Sequence, residues 1–515
     1  MRRKTTSIKV LSLSLALTTI LAGCGSNSSS NNNESPSSVQ SKKQTEISIF
    51  TINYSAETPQ ADNVIELEME KRTDTKLDIT FQPANSFDDK FKVTLSSGQL
   101  PDVMLTKWIW DSAVLKAIEQ GAFWDLTPFI KDYPNLASVY ADAIENTKVN
   151  GKVYGIPRPR PLVGGQGFPM LREDWLKNLN LEIPQTMDEL YNVLKAFTEE
   201  DPDQNGKKDT MGYIGNVAEN WMDKLTFVED VFHGHNDSFK YVDGKIIWRD
   251  LEHAEKDALL WMKKTYDEGI LAPDFAIIKN SQMSDFLKQG KVGMLPYAMD
   301  ASQIGDMLTT LRATTPEAGL VHVPTLESPA TGQPFYPKEG GFFGNYLISK
   351  KVPEAKLRAI LEFFDYGATE EGMELASYGL ADQHFSVVEG LKTTTEEHKK
   401  SGLGNYNNIW TLVDEHARIQ PKNGFPVEYY ERDKEVIKTR IELGYYNNMN
   451  GVTSETENKY MPEWGKKVQD MKIRVIMGKE SIEAWDKFVD TMKNNPDVQK
   501  MLEEKLASYQ ALGRD

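Results

Sequence analysis

One cysteine among 515 residues, Cys24, excludes a disulfide within the chain and leaves no other thiol to act as a nucleophile. Positive charge is also scarce, with 59 Lys and Arg against 76 Asp and Glu. Nothing therefore supplies the cationic surface that nucleic acid or an anionic lipid surface requires. The motif G-x-x-x-x-G-K-[ST] does not occur, so an ATPase acting with this chain must be a separate protein. H-E-x-x-H is absent too, and His233 and His235 in HGH lack companion ligands at zinc spacing. A glycosidase needs only two carboxylates about 5–10 Å apart, but nothing in the sequence selects a pair from so many acids. The apolar run Ile8–Ala22 has 15 residues, diluted by Ser and Thr, and falls short of a transmembrane helix.

That run follows Arg2, Arg3 and Lys4 and reads as a signal-peptide core over residues 1–23. It closes on Leu21-Ala22-Gly23-Cys24, which resembles a bacterial lipobox, in which the cysteine is lipidated and becomes the mature N-terminus. The alternative is a buried cysteine that happens to follow an apolar run. Residues 24–45 are then a polar tether without aromatic residues, unable to bury enough surface to fold. Twenty such residues span about 25 Å. Loss of the basic leader would take the net charge from −17 to −21. The expected location is the extracellular face of the cell membrane, with membrane contact through the lipid alone.

Folding is expected from Glu46. EISIFTIN places Ile47 and Ile49 on one face and Phe50 and Ile52 on the other, a strand apolar on both sides. VIELEMEKRT then predicts a helix, Leu77, Ile79 and Phe81 a strand, Phe87–Ser97 a helix ending near Gly98, and PDVML another strand. This alternation indicates an α/β lobe with a largely parallel sheet. Helices are also predicted over His253–Gly269 and in SQMSDFLKQG, and as a pair in LRAILEFFDYGATEEGMELASYG. About 470 folded residues exceed one ordinary core and imply two lobes or more.

Two stretches carry candidate chemistry. TKWIWDS follows the PDVML strand and puts Trp108, Trp110 and Asp111 at the carboxyl end of a strand, where α/β sheets bind ligands. Aromatic planes and polar edges suit a sugar ring, although the same residues could pack the lobe. In IPRPRP, Pro157, Pro159 and Pro161 stiffen the chain, so that Arg158 and Arg160 project with little entropy to lose. Either could meet a uronate carboxylate bidentately, or could instead tie acidic residues of the protein together. DPDQNGKKDTMG resembles a calcium loop: Asp201, Asp203, Asn205, the Lys207 carbonyl and Asp209 fill positions 1, 3, 5, 7 and 9 of the EF type. Position 12, which takes a bidentate Glu in a true EF-hand, is Gly212. A structural calcium between a helix and the next strand is expected, against an ion-free Asp/Asn/Gly turn.

LPDVML (Leu100–Leu105), NGKVYGIP (Asn150–Pro157), MLREDWLKNLNLEIPQTMDEL (Met170–Leu190), the Asp201–Gly212 loop, MKKTYDEGIL (Met262–Leu271) and FLKQGKVGML (Phe286–Leu295) together resemble an extracellular solute-binding protein of an ABC importer. The similarity lies with the carbohydrate group that includes maltose- and alginate-oligosaccharide-binding proteins, and with large Gram-positive lipoproteins within it. It runs from about residue 46 to about residue 375. The resemblance implies a periplasmic-binding-protein-like α/β fold, with two lobes joined by crossing hinge strands and a ligand cleft between them. Lobe 1 would hold residues 46–155 and about 325–375, and lobe 2 residues 156–324 and about 376–515, with the alternative that the C-terminal helices cover both lobes. Hinge crossings are expected near Tyr154–Arg160 and after Pro324, through GGFFGNYLISK. It further implies a monomer without enzymatic activity, which closes on a carbohydrate, an oligosaccharide in particular, and docks on a membrane permease served by a separate ATPase. The post-strand turn at Trp108 and Trp110 carries ligand contacts in such relatives, and Tyr297 matches a stacking position. Phe342 is a further candidate, while Trp221, Trp248 and Trp410 are weaker ones. In the alginate-binding relatives an acidic residue follows the position of Asp209, where this chain has Thr210. Readings left beside this one are another small solute, presentation to a sensor kinase, and a tethered polysaccharide-degrading enzyme.

Overall fold

Hydrophobic runs in the first third of the sequence become the middle of a sheet. The computed structural model describes residues 44–54, 57–388, 390–420, 425–446 and 449–513. The leader, Cys24 and the tether up to residue 43 lie outside the described residues. Strands β1 (Thr45–Asn53), β2 (Thr75–Pro83), β3 (Val103–Thr106) and β4 (Gly155–Pro159) alternate with helices, among them Val64–Thr73 and Phe87–Ser97. The second of these stops at Gly98, whose φ of +67° suits glycine. β1 pairs in parallel with both β2 and β3, so it is flanked on each side, and Ile47, Ile49 and Ile52 are buried. Its apolar residues on both faces follow from that central place.

β5 (Phe168–Arg172) and β6 (Met211–Tyr213) open a second sheet, with the hairpin β7 (Phe239–Val242) and β8 (Lys245–Trp248) beside it. β9 (Val292–Tyr297) and β10 (Leu320–His322) complete that sheet in the order β10-β5-β9-β6. After the short pair β11 (Leu326–Glu327) and β12 (Pro334–Phe335), strand β13 (Phe342–Ile348) returns to the first sheet. The first sheet then reads β2-β1-β3-β13-β4, with β13 antiparallel to both neighbours. β4 is its edge strand, which explains how Pro157 and Pro159 are tolerated there. β13 bulges between Phe342 and Asn345. Gly344 sits there at φ +83°, and a Cβ on it would lie 2.6 Å from the Thr106 carbonyl, so no other residue fits.

Each sheet has its own core. One is drawn from residues between Ile47 and Ile156 and between Tyr346 and Trp410, the other from residues between Val163 and Tyr336 and between Ile419 and Tyr509. Two expected boundaries move as a result. Leu326, Phe335 and Tyr336 belong to the second core, so the chain re-enters the first lobe at β13 rather than near residue 325. Leu403, Tyr406, Ile409 and Trp410 belong to the first core, not the second. The cause is aromatic packing: Trp410 lies 5.0 Å from Phe363 and 5.5 Å from Tyr366, over Gly367, where a Cβ would strike the indole.

From residue 427 onward four helices, Val427–Leu443, Glu455–Ile476, Ile482–Lys493 and Pro496–Ala511, complete the second lobe. A buried ion cluster fastens the second of them. Lys472 lies 2.8 Å from Glu229, 2.9 Å from Asp250 and 2.8 Å from Glu255. Arg249 pairs with Glu229 at 3.2 Å and with Asp230, and His233 meets Glu255 at 3.1 Å. Among the described residues no helix is long and apolar enough to cross a membrane.

Candidate functional site

Strand register gathers several predicted residues at one edge of the first sheet. Asn345 pairs with Thr106, and Phe342 with Pro159. The segments after β3 and β4 therefore emerge beside the start of β13, close to hinge strands that lead into the second lobe. Tyr54, directly after β1, is exposed at the same edge.

Trp108 is half exposed, at 50%, and its ring stacks on Phe342 at 6.3 Å and 18°. Trp110 meets Trp108 edge-on at 4.9 Å but is only 7% exposed, and its Nε1 donates to the Lys148 carbonyl at 3.3 Å. Of the two tryptophans, Trp108 offers a free face and Trp110 braces it. Phe342 is half-buried behind Trp108, and its neighbour Phe343 is exposed. Asp111 caps the helix Ser112–Glu119, accepting from the Ala113 amide at 2.9 Å. Its carboxylate has a structural role that a strand-end argument does not anticipate.

The two hinge arginines part company. Arg158 is 1% exposed and does not project: it donates to Asn408 Oδ1 and, at 3.2 Å, to the Phe343 carbonyl. It still lies under β13, whereas Arg160 falls one residue past the end of β4. The Arg160 amide donates to the Gly341 carbonyl at 2.9 Å. Its guanidinium makes no hydrogen bond or ion pair among the described residues. Burial, then the charges of Arg158 and Arg418, push its proton affinity down to about 9. Arg418 is already engaged by Glu339 at 3.2 Å, and Glu339 also accepts from the Gly165 amide at 2.7 Å. Burial raises the Glu339 carboxyl above the usual range. A cation of this kind, crowded and without a hydrogen-bonded partner, has the chemistry to pair with an anion.

Tyr297 stands apart from this group. It ends β9 opposite Phe168, its hydroxyl donates to Gln303, and it lines a hollow of about 830 Å³ with Lys288 and Asp306. Trp248 and Trp410 are buried in the two cores, while Trp221 is 53% exposed. Trp221, one of the weaker candidates from the sequence, is thus exposed, and so is Tyr54, which the sequence did not single out. Tyr54 follows a strand end just as Trp108 does, so the same signal was there to find it.

The Asp201–Asp209 loop folds around its own amides. Asp201 accepts from the Asn205 and Gly206 amides at 3.1 and 3.0 Å. The Asn205 side-chain amide donates to Asp203 at 2.7 Å and to Asp209 at 3.1 Å. The Lys207 amide donates to Asn205 Oδ1 at 2.8 Å. Burial, then the hydrogen bond and charge of neighbouring aspartates, raise the Asp203 carboxyl. Among the described residues the one acidic trio with oxygens within 4.8 Å of one another is elsewhere: Asp62, Glu66 and Glu70. Lys76 already pairs with two of its members, Asp62 and Glu70.

Residues 54–374 match the family model described as bacterial extracellular solute-binding protein. The chain is 29% identical over 488 residues to lipoprotein LipO of Bacillus subtilis (strain 168), covering 92% of this chain and 93% of that one. It is 30% identical over 519 residues to the polygalacturonan/rhamnogalacturonan-binding protein YtcQ of the same organism, covering 98% and 99%. Among solved structures it resembles the alginate-binding protein AlgQ2 without calcium ion, with a TM-score of 0.65 and 20% identity over 92% of this chain and 98% of that one. The last similarity concerns the fold, two α/β lobes joined by crossing strands. With the family model spanning well over half of its length, the chain belongs to the bacterial extracellular solute-binding proteins.

Proposed function

We propose that this protein captures an oligosaccharide carrying a carboxylate and delivers it to the permease of an ABC importer, while a lipid on Cys24 holds it at the outer face of the cell membrane. The observation that carries this reading is the unpaired guanidinium of Arg160 at the same sheet edge as the exposed ring of Trp108, which stacks on Phe342, the register partner of Pro159. A sugar ring stacks on the indole while its carboxylate meets the guanidinium in a bidentate pair. The likeness to a polygalacturonan/rhamnogalacturonan-binding protein over nearly the whole chain supports the same ligand class. Arg160 follows the hinge strand β4, so a ligand bridging it to the second lobe favours the closed state over the open one. Delivery needs a permease and an ATPase on other chains; no catalytic step is assigned to this one. A ligand at 100 times its Kd should add about 2.7 kcal/mol of stability. Thermal-shift measurement with oligogalacturonides and rhamnogalacturonan fragments should therefore show a clear rise in Tm. No shift with any of them would remove the carbohydrate reading.

The Asp201–Asp209 loop fits a structural calcium. The Asn205 side-chain nitrogen donates to two carboxylates, those of Asp203 and Asp209, Asp201 accepts from the adjoining backbone amides, and no lysine or arginine is paired to the three among the described residues. That nitrogen stands where a cation would satisfy the same oxygens. Turning the amide over would present its oxygen with those of Asp201, Asp203 and Asp209 and the Lys207 carbonyl. Thr210, where alginate-binding relatives carry an acid, instead donates to the Phe197 carbonyl at 2.9 Å and ties the loop to the preceding helix. The ion would thus be a clip for the second lobe, remote from Arg160. EGTA should lower the Tm of the wild-type protein and leave that of Asp203→Ala unchanged. Identical melting of the wild type with and without chelator would take calcium out of the account.

A further inference from the structure

The second lobe holds a cavity of about 540 Å³ between the segment after β6, the β7–β8 hairpin and the helix Glu455–Ile476. Gln166 and the exposed Trp221 stand at its rim. Gln166 adjoins Gly165, whose amide binds Glu339, the partner of Arg418. The rim thus neighbours the cluster of charges around Arg160.

Inside, polar atoms are left over. Arg249 Nε and Gln469 Nε2 belong to buried side chains and have no hydrogen-bond partner among the described residues, and the same holds for Thr226 Oγ1 and Asn236 Oδ1. Buried polar atoms without partners are uncommon and call for an explanation. These four comprise two donors, one acceptor and one hydroxyl that can do either. Small rotations of these side chains would turn the four atoms toward a ligand dense in hydroxyl groups held in the cavity. Phe239 and Trp248 supply an apolar wall of the kind on which the C–H face of a sugar ring packs.

Charge decides which sugar. Lys472 and Arg249 are consumed by Glu229, Asp230 and Asp250, so an entering anion would find no free cation. A uronate is therefore rejected here and a neutral residue admitted, the reverse of the preference at Arg160.

We propose that this cavity is a subsite for an uncharged sugar residue of the ligand whose acidic residue is held at Arg160. The proposal rests on the carbohydrate reading above and extends it: the protein selects oligosaccharides that combine acidic and neutral units. The test uses isothermal titration with two probes of equal length, a tetragalacturonide and a four-unit fragment alternating galacturonate and rhamnose. Gln469→Leu removes the orphan amide at nearly constant shape, so the fold should keep its Tm or gain slightly. Its affinity for the alternating fragment should fall about tenfold, the worth of one hydrogen bond in a closed site, with the tetragalacturonide unaffected. Trp221→Ala, an exposed change at the rim, should show the same selective loss. Equal effects on both probes, or none on either, would overturn the subsite while leaving the carbohydrate reading intact. Failure of the wild type to bind either probe would overturn both.

Discussion

Lys472→Ala should lower the free energy of unfolding by about 3–5 kcal/mol, measured by urea denaturation at neutral pH. Lys472 is 3% exposed and faces three carboxylates within 2.9 Å, those of Glu229, Asp250 and Glu255. Its removal leaves Arg249 as the one cation in contact with this cluster among the described residues. An ion pair of this kind adds little net stability over an apolar replacement, but a lone buried charge is costly. Lys466→Ala on the same helix is the control. Its partner Glu219 is 2.8 Å away, but both side chains are more than half exposed, and the change should leave the denaturation midpoint nearly unmoved. Adding Glu255→Gln to Lys472→Ala should recover part of the loss, because one stranded charge is withdrawn.

The same cluster gives the folded protein a pH profile. Burial pushes the Glu229 carboxyl up to about 8, with the charge of Glu255 adding to it, and pushes Asp230 up to about 7 against the pull of Arg249. The folded state thus holds protons that the unfolded state releases near the ordinary carboxylate range. For an acid whose folded value is raised, the stabilisation is complete below the unfolded value and is lost as pH rises through the folded one. Stability should fall between about pH 5 and pH 8, and Asp230→Asn should flatten that slope.

Features set by local pattern could be read from the sequence. The apolar alternation of β1, the helix Phe87–Ser97 with Gly98 behind it, and the exit of Trp108 from a strand end each depend on a few adjacent residues. What could not be read depends on contacts between distant segments. Trp108 and Trp110 are two residues apart in one motif, yet a carbonyl from Lys148 draws the second inward. Arg158 and Arg160 carry the same side chain between the same prolines, and Asn408, 250 residues later, decides which of them is free. Lys472 reads as an ordinary charge on an amphipathic helix until residues 229–255 close over it. Leu403–Trp410 join the first lobe because Phe363, Tyr366 and Gly367 leave room for an indole. Family resemblance pointed to a cleft between two lobes, but the partners of each polar group had to come from the fold.

Arg160→Ala should weaken binding of an acidic oligosaccharide about 100-fold, read as Kd by titration calorimetry, because loss of one member of a desolvated charge pair costs at least 2 kcal/mol. Arg160→Lys should recover only part of that affinity, since an ammonium keeps the charge and loses the fork. A methyl-esterified ligand, which has no carboxylate, should bind wild type and Arg160→Ala alike. The stability effect should run the other way. Burial, then the charges of Arg158 and Arg418, hold the Arg160 guanidinium down to about 9, and it makes no hydrogen bond or ion pair among the described residues. A base whose folded proton affinity is depressed destabilises the protein wherever it stays charged, which here means below about pH 9. Removing it should therefore raise the Tm of the ligand-free protein at neutral pH while abolishing most of the affinity. A side chain that merely braced the hinge would do the opposite, lowering Tm and sparing the preference for acidic over esterified ligand. Strain kept in the empty site and relieved by the ligand is what a capture protein needs in order to close on an acidic sugar and stay open without one.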